Sequence, residues 1–359
     1  MKKIKINMLS KADSIDGQGV GSAFLEQSDL IKEIDNYFSV DINSMKNNYQ
    51  IRHVHSINPE YYLRMDKSSI NVCYVHFVPK TLEGSIALPK FYFSFLKKYI
   101  IKFYSKADEL VVVNPIFIKD LIELGLAKDK ITYIPNYVSK DKFYKLEDKE
   151  VIAIRKEYKI PLHKFVVLGV GQVQTRKGIS DFVAVAKENP DQLFIRAGGF
   201  SFGNLSDGHK DLKKIMDNPP ANVKFLGIVP REEMNKVYNA SNVLFVPSFN
   251  ELFPMAILEA INSSIPLLVR DLELYKDVIF DSYLKGKSVK EFSAILTNLQ
   301  NDKTYYKEAQ DLSLSLSLFY SKEHVSELWK DYYTSLLIKY PNRKNVKSYL
   351  AATSNIKKD

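Results

Sequence analysis

Two glutamates, Glu251 and Glu259, have the residue type and spacing best suited to chemistry in this chain, with seven residues between them. An apolar strand is predicted just before them, and a helix is predicted to begin near Pro254, because proline is tolerated in a first helical turn. Glu251 would then lie in the loop and Glu259 about one and a half turns into the helix. Ligands of open α/β sheets bind at the carboxyl ends of strands. A loop carboxylate beside the amides of a helix N-terminus therefore indicates a site for a phosphorylated sugar.

Each half of the chain also contains a strand, a glycine-containing loop and a helix in succession. In the first half the glycine-rich stretch is 16–22, and in the second half Gly169 and Gly171 close a strand before Lys177 and Gly178. This order brings backbone amides against a phosphate, and the Lys177 ammonium would add positive charge beside a diphosphate leaving group. Considered alone, each glycine loop is equally well explained as an ordinary turn. Considered alone, Lys177 is equally well explained as an ordinary surface lysine.

The segment 90–106 contains five lysines, seven aromatic residues and no acidic residue. On a helix most of its aromatic residues share one arc and its lysines the other, while Phe91 and Phe95 add apolar surface on the lysine side. This arrangement is typical of a segment that binds an anionic membrane surface. The residues expected to contact the membrane are Lys90, Phe93, Leu96, Lys97, Lys98, Tyr99, Lys102 and Phe103. The alternative is a core helix with solvated lysines. Nucleic acid is not an expected partner, because arginine is sparse here and no recognition motif is present.

The amino-acid composition indicates which partners and which cellular compartment to expect for this protein. The net charge of +9 and the pI near 9.1 favour partners that carry negative charge. A single cysteine, Cys73, excludes a disulfide framework and fits a reducing cytosol. The N-terminal apolar segment is too short for a signal peptide, and no apolar run approaches the roughly 18 residues of a membrane span. We therefore expect a cytoplasmic protein that works peripherally on the inner face of the cell membrane.

Strands and helices alternate along most of the chain, which predicts an α/β fold with doubly wound parallel sheets. A charged stretch at 139–159 is the natural domain boundary. The expected divisions are a first domain at 1–150, a second domain at 151–318, a long helix at 319–340 and a basic, loosely ordered tail at 341–359.

The string from the predicted strand through Pro-Ser, Glu251, Phe-Pro and Leu-Glu-Ala to Ile-Pro-Leu-Leu-Val resembles the E-x7-E signature of family-4 retaining glycosyltransferases. The resemblance covers nearly the whole chain. It implies the GT-B fold, in which two Rossmann-like domains face each other across a cleft. The first domain would bind the acceptor and the membrane, the second would bind the nucleotide sugar, and the long C-terminal helix would return to the first domain.

The resemblance also implies roles for single residues. Glu251 would lie beside the donor sugar and stabilise the transition state, and His76 would lie near the sugar C6 hydroxyl. Glu259 would accept hydrogen bonds from the ribose hydroxyls, and Ile228 would lie against the base. The other donor-binding positions would be Gly19, Arg176, Lys177, Gly199, Phe253, Met255 and Ala256. His53 and His55 are possible acceptor-side residues, although a core position is the commoner explanation for each.

The donor-phosphate motif departs from the family pattern, which usually reads Gly-Arg followed by Lys-Gly. Gln172 occupies the arginine position, so either Arg176 replaces that charge or the diphosphate is held less tightly. No D-x-D motif occurs in a plausible site. We therefore expect an enzyme with no cofactor and no metal, in which Lys177 and helix dipoles act where a cation acts elsewhere.

The finer resemblance is to the glycolipid glycosyltransferases of Gram-positive bacteria, carried by 6–10, 17–21, 53–59 and the basic aromatic segment. It implies transfer of galactose or glucose from a UDP-sugar to glucosyl-diacylglycerol, giving a dihexosyl lipid that anchors lipoteichoic acid. A polysaccharide or protein acceptor, and a catalytically idle partner subunit, remain alternatives. The sequence does not decide the donor sugar, the linkage, the exact lipid or the oligomeric state.

Overall fold

The computed structural model describes residues 2–11, 19–82, 90–200, 203, 207–251 and 253–355, with the backbone alone at 81, 82, 90–92 and 355. The first domain contains a six-stranded parallel sheet of order β2-β1-β3-β4-β5-β6. Its strands are β1 Ile4–Leu9, β2 Phe38–Ile42, β3 Ile51–Val54, β4 Ile70–Val75, β5 Glu109–Val112 and β6 Ile131–Tyr133. Its helices are α1 Gly19–Glu33, α2 Pro59–Arg64, α3 Pro79–Leu82, α4 Lys90–Lys106 and α5 Ile116–Glu123.

The second domain contains another six-stranded parallel sheet, of order β12-β11-β10-β7-β8-β9. Its strands are β7 Val166–Val170, β8 Leu193–Ala197, β9 Val223–Gly227, β10 Val243–Val246, β11 Leu267–Arg270 and β12 Leu284–Gly286. Its helices are α6 Asp148–Glu157, α7 Ile179–Glu188, α8 His209–Asp217, α9 Met234–Asn239, α10 Met255–Asn262, α11 Val289–Asn301 and α12 Lys303–Phe319. Two doubly wound sheets in one chain are the α/β architecture that the alternating pattern predicts.

The central strands are buried on both faces because helices cover both sides of each sheet. Every residue of β4 and of β10 is buried, and both strands are nearly continuous apolar runs. This is the pattern expected of parallel sheets, and it explains why the strands could be located from composition. The carboxyl ends of the strands then carry the loops in which ligands bind.

The C-terminal helices α13 (Lys322–Lys339) and α14 (Lys344–Asn355) pack on the first domain. In α13 the Tyr333 hydroxyl lies 2.6 Å from Nδ1 of His53, and Trp329 is 1% exposed. In α14 the Tyr349 hydroxyl donates to the carbonyl of Lys2 at 2.8 Å. The prediction of a loosely ordered tail is therefore wrong for 344–355, because these contacts with the first domain order a helix that the local composition did not indicate.

Helix α4 lies against the first domain along its apolar arc. Ile100, Phe103 and Tyr104 are buried in the core, and the Tyr99 hydroxyl donates to the carbonyl of Ile57 at 2.6 Å. The expectation that Phe103 contacts a membrane is therefore wrong, because this ring packs inside the protein. The lysines at 97, 98 and 102 are exposed, as is Phe95, while Phe93, Leu96 and Tyr99 are half-buried. The Lys90 side chain lies outside the described residues.

The two domains contact each other at α1 and α10. A Cβ built on Gly19, in the first turn of α1, would lie 3.9 Å from the Met255 side chain in the first turn of α10. Residues 12–18 lie outside the described residues, so only 19–22 of the predicted glycine-rich loop can be placed, and all four belong to α1. Within the described ranges, no helix combines the length and the apolar character needed to cross a membrane.

Candidate active site

The loop between β10 and α10 carries Glu251, and α10 begins directly after Pro254, as the sequence predicts. The Glu251 side chain is buried, with Oε1 2.5 Å from Nζ of Lys177 and Oε2 3.8 Å from Nη1 of Arg176. Burial raises the pKa of Glu251, but the charges of Lys177 and Arg176 outweigh burial and hold this pKa below its usual value. The carboxylate is therefore negative at neutral pH.

The two residues of this ion pair belong to two different loops. One loop follows β7 and the other follows β10, and these strands are neighbours in the sheet, so both loops lie at its carboxyl edge. Gly178 has a φ of +65° and packs its backbone against the carbonyl of Pro247, where a Cβ would collide. The amide of Phe249 donates to the carbonyl of Arg176 at 2.8 Å. From β11, the Arg270 Nε donates to the Pro247 carbonyl at 2.9 Å. These contacts hold together the two loops that carry Lys177 and Glu251.

Lys177 carries a perturbed ammonium group. Burial lowers the pKa of Lys177 from 10.5 to about 8, the neighbouring Arg176 and Arg196 lower it further, and Glu251 raises it. The Lys177 side chain is therefore largely protonated at neutral pH, although the negative charge of Glu251 does not fully offset the effect of burial on its pKa. A second anion beside the ammonium would stabilise its charged form.

Arg196, near the carboxyl end of the apolar strand β8, is a second buried cation behind the same loop. Its Nη2 donates to the carbonyls of Gly171 and Gln172 at 3.2 and 3.3 Å, and its Nε has no hydrogen-bond partner among the described residues. Burial lowers the pKa of Arg196 to about 10, and the charge of Glu251 offsets part of that effect. A Cβ on Gly171 would lie 3.9 Å from Nη2 of Arg196 and 4.0 Å from Nζ of Lys177. The two cations therefore flank one glycine.

The local charges do not balance. Lys177, Arg176 and Arg196 contribute three positive charges, and Glu251 contributes one negative charge. Unpaired buried charge is costly unless a partner neutralises it. An anion with about two charges, seated on the Gly171 loop, would neutralise this excess.

Glu259, one turn into α10, lies in a separate network. Its Oε1 accepts from Nη1 of Arg231 at 2.7 Å, and its Oε2 accepts from the Tyr238 hydroxyl at 2.6 Å. Burial and the adjacent negative charge of Glu259 raise the pKa of Tyr238 well above its usual value, so this hydroxyl remains a donor. Each carboxylate oxygen has a further lone pair, so Glu259 can still accept hydrogen bonds from a ligand.

The other predicted donor positions follow β8 and β9 or lie around the start of α10. Gly199 follows β8, and a Cβ there would lie 3.1 Å from the side chain of Ile228, which is 47% exposed. Met255 and Ala256 occupy the first turn of α10, where amides have no intrahelical acceptor. The Phe253 ring is buried and stacks on Tyr320 with 5.6 Å between centroids. The Phe253 ring is therefore part of the core, and the contact predicted for its backbone amide stays a prediction.

The three histidines form a buried row in the first domain. Nε2 of His76 lies 3.1 Å from Nδ1 of His55, and the His55 ring is 4.6 Å from that of His53. Burial lowers the pKa of His76 to about 3, so its imidazole is neutral at physiological pH. His76 lies at the carboxyl end of β4, but its described ring contacts are with His55 and Tyr74 of its own domain. Its role near a sugar remains a prediction.

Sequence reasoning missed three residues of this region: Arg231, Tyr238 and Arg196. Only Arg196 had a visible signal, since a charged residue inside the apolar strand 193–197 is unusual. Arg231 and Tyr238 belong to short elements whose packing against α10 is set by the tertiary fold. In the ranges that the structure describes, no group of three or more His, Cys, Asp or Glu side chains is arranged to hold a metal ion.

The chain is similar to known glycosyltransferases. Residues 150–313 match the family described as "Glycosyl transferases group 1". The chain is 40% identical over 335 residues to the alpha-galactosylglucosyldiacylglycerol synthase of Streptococcus pneumoniae, covering 92% of this chain and 90% of that protein. It is 28% identical over 319 residues to the processive diacylglycerol alpha-glucosyltransferase of Acholeplasma laidlawii, covering 86% and 92% of the two chains.

The fold is shared with solved glycosyltransferase structures. The Anabaena protein HepE, crystallised in complex with UDP-glucose, aligns with a TM-score of 0.73 at 14% identity, over 92% of this chain and 99% of that chain. The two facing parallel sheets are therefore the GT-B arrangement that the resemblance implies. With the family matched over its second domain and a 40% identical relative covering 92% of its length, this chain belongs to the group 1 glycosyltransferases, enzymes that transfer sugars.

Proposed function

We propose that this protein transfers galactose or glucose from a UDP-sugar to a glucosyl-diacylglycerol, with retention of configuration at the anomeric carbon. The observation that carries the proposal is the Lys177–Glu251 pair, which places a buried carboxylate and excess positive charge at the meeting point of two loops. The relatives support the acceptor class, because one is named a galactosylglucosyldiacylglycerol synthase and another a diacylglycerol glucosyltransferase. HepE, solved with UDP-glucose, supports the donor class.

The donor would lie along the carboxyl edge of the second sheet. Its diphosphate would sit on the loop at Gly171, with the Lys177 ammonium beside it and the Arg196 charge behind it. Glu259 would accept from the ribose hydroxyls with the lone pairs that Arg231 and Tyr238 leave free. The uracil would lie on the exposed apolar surface of Ile228. The sugar would then face Glu251.

The reaction would proceed on one face of the sugar. The acceptor hydroxyl oxygen bonds to the anomeric carbon as the bond from that carbon to the β-phosphate oxygen breaks, and the hydroxyl proton passes to an oxygen of the departing phosphate. The products are the elongated lipid and UDP. Lys177 and the first-turn amides of α10 stabilise the charge that builds up on the leaving group. Glu251 holds the sugar hydroxyls and stabilises positive charge at the anomeric carbon.

We propose that no metal ion takes part in this reaction. The cations at Lys177, Arg176 and Arg196 can supply the positive charge that a divalent ion would bring to a diphosphate. Transfer in the presence of excess EDTA tests this part of the proposal.

We propose that helix α4 docks the enzyme on the inner face of the cell membrane. Three lysines of this helix, at 97, 98 and 102, are exposed and would meet anionic headgroups. Phe95 precedes them on the helix, is 69% exposed and would enter the membrane interface. Its buried arc attaches the helix to the first domain, so docking would bring the cleft to the lipid acceptor. The half-buried Phe93, Leu96 and Tyr99 can reach lipid only with part of their surface.

The experiment offers radiolabelled UDP-glucose and UDP-galactose separately, with EDTA, to vesicles that contain diacylglycerol or glucosyl-diacylglycerol. We expect a labelled dihexosyl lipid from one donor, formed only with the glucosylated acceptor. Hydrolysis of a donor without any lipid product would retain the transferase chemistry and exclude the lipid acceptor. No reaction with either donor would contradict the proposed function and favour an idle subunit.

A further inference from the structure

Arg231 joins the two domains at the nucleotide end of the cleft. It begins a short 3-10 turn, Arg231–Glu233, just after β9 in the second domain. Its Nη1 lies 2.7 Å from Oε1 of Glu259, while its Nη2 lies 2.8 Å from Oε1 of Glu26, on α1 of the first domain. The same Nη1 lies 3.2 Å from the Ser22 hydroxyl of α1. One guanidinium group therefore bridges two carboxylates from different domains.

The partners of Arg231 on α1 share a helix face with Gly19. Ser22 and Glu26 follow Gly19 by three and seven residues, a spacing that stacks side chains on one side of an α-helix. This face points at the second domain, since Gly19 lies against Met255 and both other residues contact Arg231. The contact at Arg231 and the approach of α1 to α10 therefore lie on the same face of α1.

Glu26 is buried and has further hydrogen-bond partners besides Arg231. It is 1% exposed, and its Oε2 accepts from the amide of Ser139 at 3.0 Å, while Lys142 lies 3.3 Å from Oε1. Burial lowers the pKa of Arg231, but Glu259 and Glu26 outweigh burial and raise it above the usual value. The carboxylate end of this ion pair is buried and held by two further donors, and the fork of the guanidinium suits two acceptors at once.

We propose that Arg231 is a positioning residue that couples nucleoside recognition in the second domain to diphosphate recognition by the first. This inference rests on the proposed function, in which Glu259 holds the ribose and the N-terminus of α1 faces the diphosphate. Arg231 orients the Glu259 carboxylate and, through Glu26 and Ser22, holds α1 at the distance from which its first-turn amides reach the β-phosphate. The nucleoside and the phosphates are thus bound as one unit.

The two ends of the bridge can be tested separately with uridine and UDP as ligands in titration calorimetry. Glu26→Gln weakens the link to the first domain and leaves the Arg231–Glu259 contact in place. We expect the affinity of this variant for uridine to stay close to that of the wild type, and its affinity for UDP to fall on the order of tenfold, within the usual range of coupling between sites. Arg231→Gln should weaken the binding of both ligands.

Two further variants control the test. Ser22→Ala removes one partner of Arg231 without burying a new group and should lower UDP affinity in the same direction as Glu26→Gln, so the test stands if Glu26→Gln does not fold. Glu233→Gln removes a partly exposed ion pair of 2.8 Å between Glu233, in the same short turn as Arg231, and Lys236 of α9, and should change neither affinity.

Equal UDP affinity in the wild type, Glu26→Gln and Ser22→Ala would overturn the coupling and leave the nucleotide site standing. Equal losses for uridine and UDP in Glu26→Gln would also overturn it, because the residue would then support the second domain alone. No binding of UDP to the wild type would overturn the nucleotide site, and the coupling with it.

Discussion

Lys177 and Glu251 lie 2.5 Å apart, Nζ to Oε1, although 73 residues separate them in the chain. Each belongs to a different loop, and the loops are joined by the Gly178–Pro247 contact and by the hydrogen bond from Phe249 to Arg176. The pair is buried. Among the described residues of this site, Glu251 is the single carboxylate beside three cations, Lys177, Arg176 and Arg196. The ionisation of each group therefore depends on the charge of the other.

Glu251→Gln should reduce transfer on the order of a hundredfold, the usual cost of removing one charge-stabilising group from a transition state. Without the carboxylate the pKa of Lys177 falls further, so UDP binding is compared at acidic pH, where the ammonium is kept. Under that condition the affinity for UDP should not fall, because the ammonium no longer pairs with Glu251 and is free for the diphosphate. Transfer kinetics and UDP calorimetry measured on one preparation check both parts. Near-normal turnover would contradict the assigned role of Glu251, and a parallel loss of UDP affinity would move that role to binding.

The pH dependence of sugar transfer should show the ionisation of the Lys177 ammonium. Its pKa of about 8 in the free enzyme means that the ammonium is lost as the pH rises through 8, so kcat/KM for the donor should fall above that value. Bound diphosphate stabilises the charged form, so kcat at saturating donor should decline at higher pH than kcat/KM. Lys177→Arg should remove the alkaline limb. An unchanged limb in this variant would assign the ionisation to another group.

The same ionisation has a consequence for stability. The pKa of Lys177 is about 8 in the folded protein and 10.5 for an unburied lysine. Between these two values the unfolded chain binds more protons than the folded one, so the contribution of Lys177 to the free energy of unfolding increases with pH. Below pH 8 both states are protonated and the burial penalty is fully present. Denaturant melts of the wild type and Lys177→Met should therefore differ most below pH 8 and converge towards pH 10.

Arg196 should compensate for the missing arginine at Gln172. Arg196→Met should weaken UDP binding on the order of tenfold or more while leaving uridine binding unchanged, because a buried positive charge behind the phosphate loop is lost. Adding Gln172→Arg to that variant should restore part of the affinity for UDP. Binding measured for the four combinations gives the coupling directly. No rescue, or an equal effect on uridine, would indicate that Arg196 only supports the loop.

Membrane docking through α4 should depend on its exposed lysines. Replacing Lys97, Lys98 and Lys102 with Glu should weaken binding to anionic vesicles by about 1 kcal/mol for each charge removed. Replacing Lys213 and Lys214 of α8, which are also exposed but belong to the second domain, should leave vesicle binding unchanged. Sedimentation with vesicles measures both sets. Unchanged sedimentation of the α4 variant would leave that helix with a purely structural role.

The architecture and the carboxylate loop could be predicted from sequence, because both depend on local patterns. Apolar strands such as 243–246, and Pro254 at the start of α10, carry their signal within a few residues. Helix α14 could not be predicted in this way, since a polar sequence gains its order from contacts such as Tyr349 with Lys2. Arg231 could not be predicted either, because its two carboxylate partners are distant in the chain.

Helix α4 shows why an amphipathic pattern alone is ambiguous. Its arc of aromatic residues predicted a membrane face, but the second half of that arc, Phe103 and Tyr104, packs in the core of the first domain. The hydrophobic effect does not distinguish a sheet from a lipid interface. The exposed Phe95, which lies off that arc and beside the lysines, is the position that distinguishes the two environments.

The most direct test of the central claim is the structure of the new glycosidic bond, determined by proton NMR on the lipid that forms from a UDP-α-hexose and glucosyl-diacylglycerol. The account predicts a dihexosyl-diacylglycerol with one new α-linked hexose and one UDP released for each molecule of product. A β-linked product would contradict retention, and hexose recovered only in non-lipid material would contradict the glycolipid acceptor.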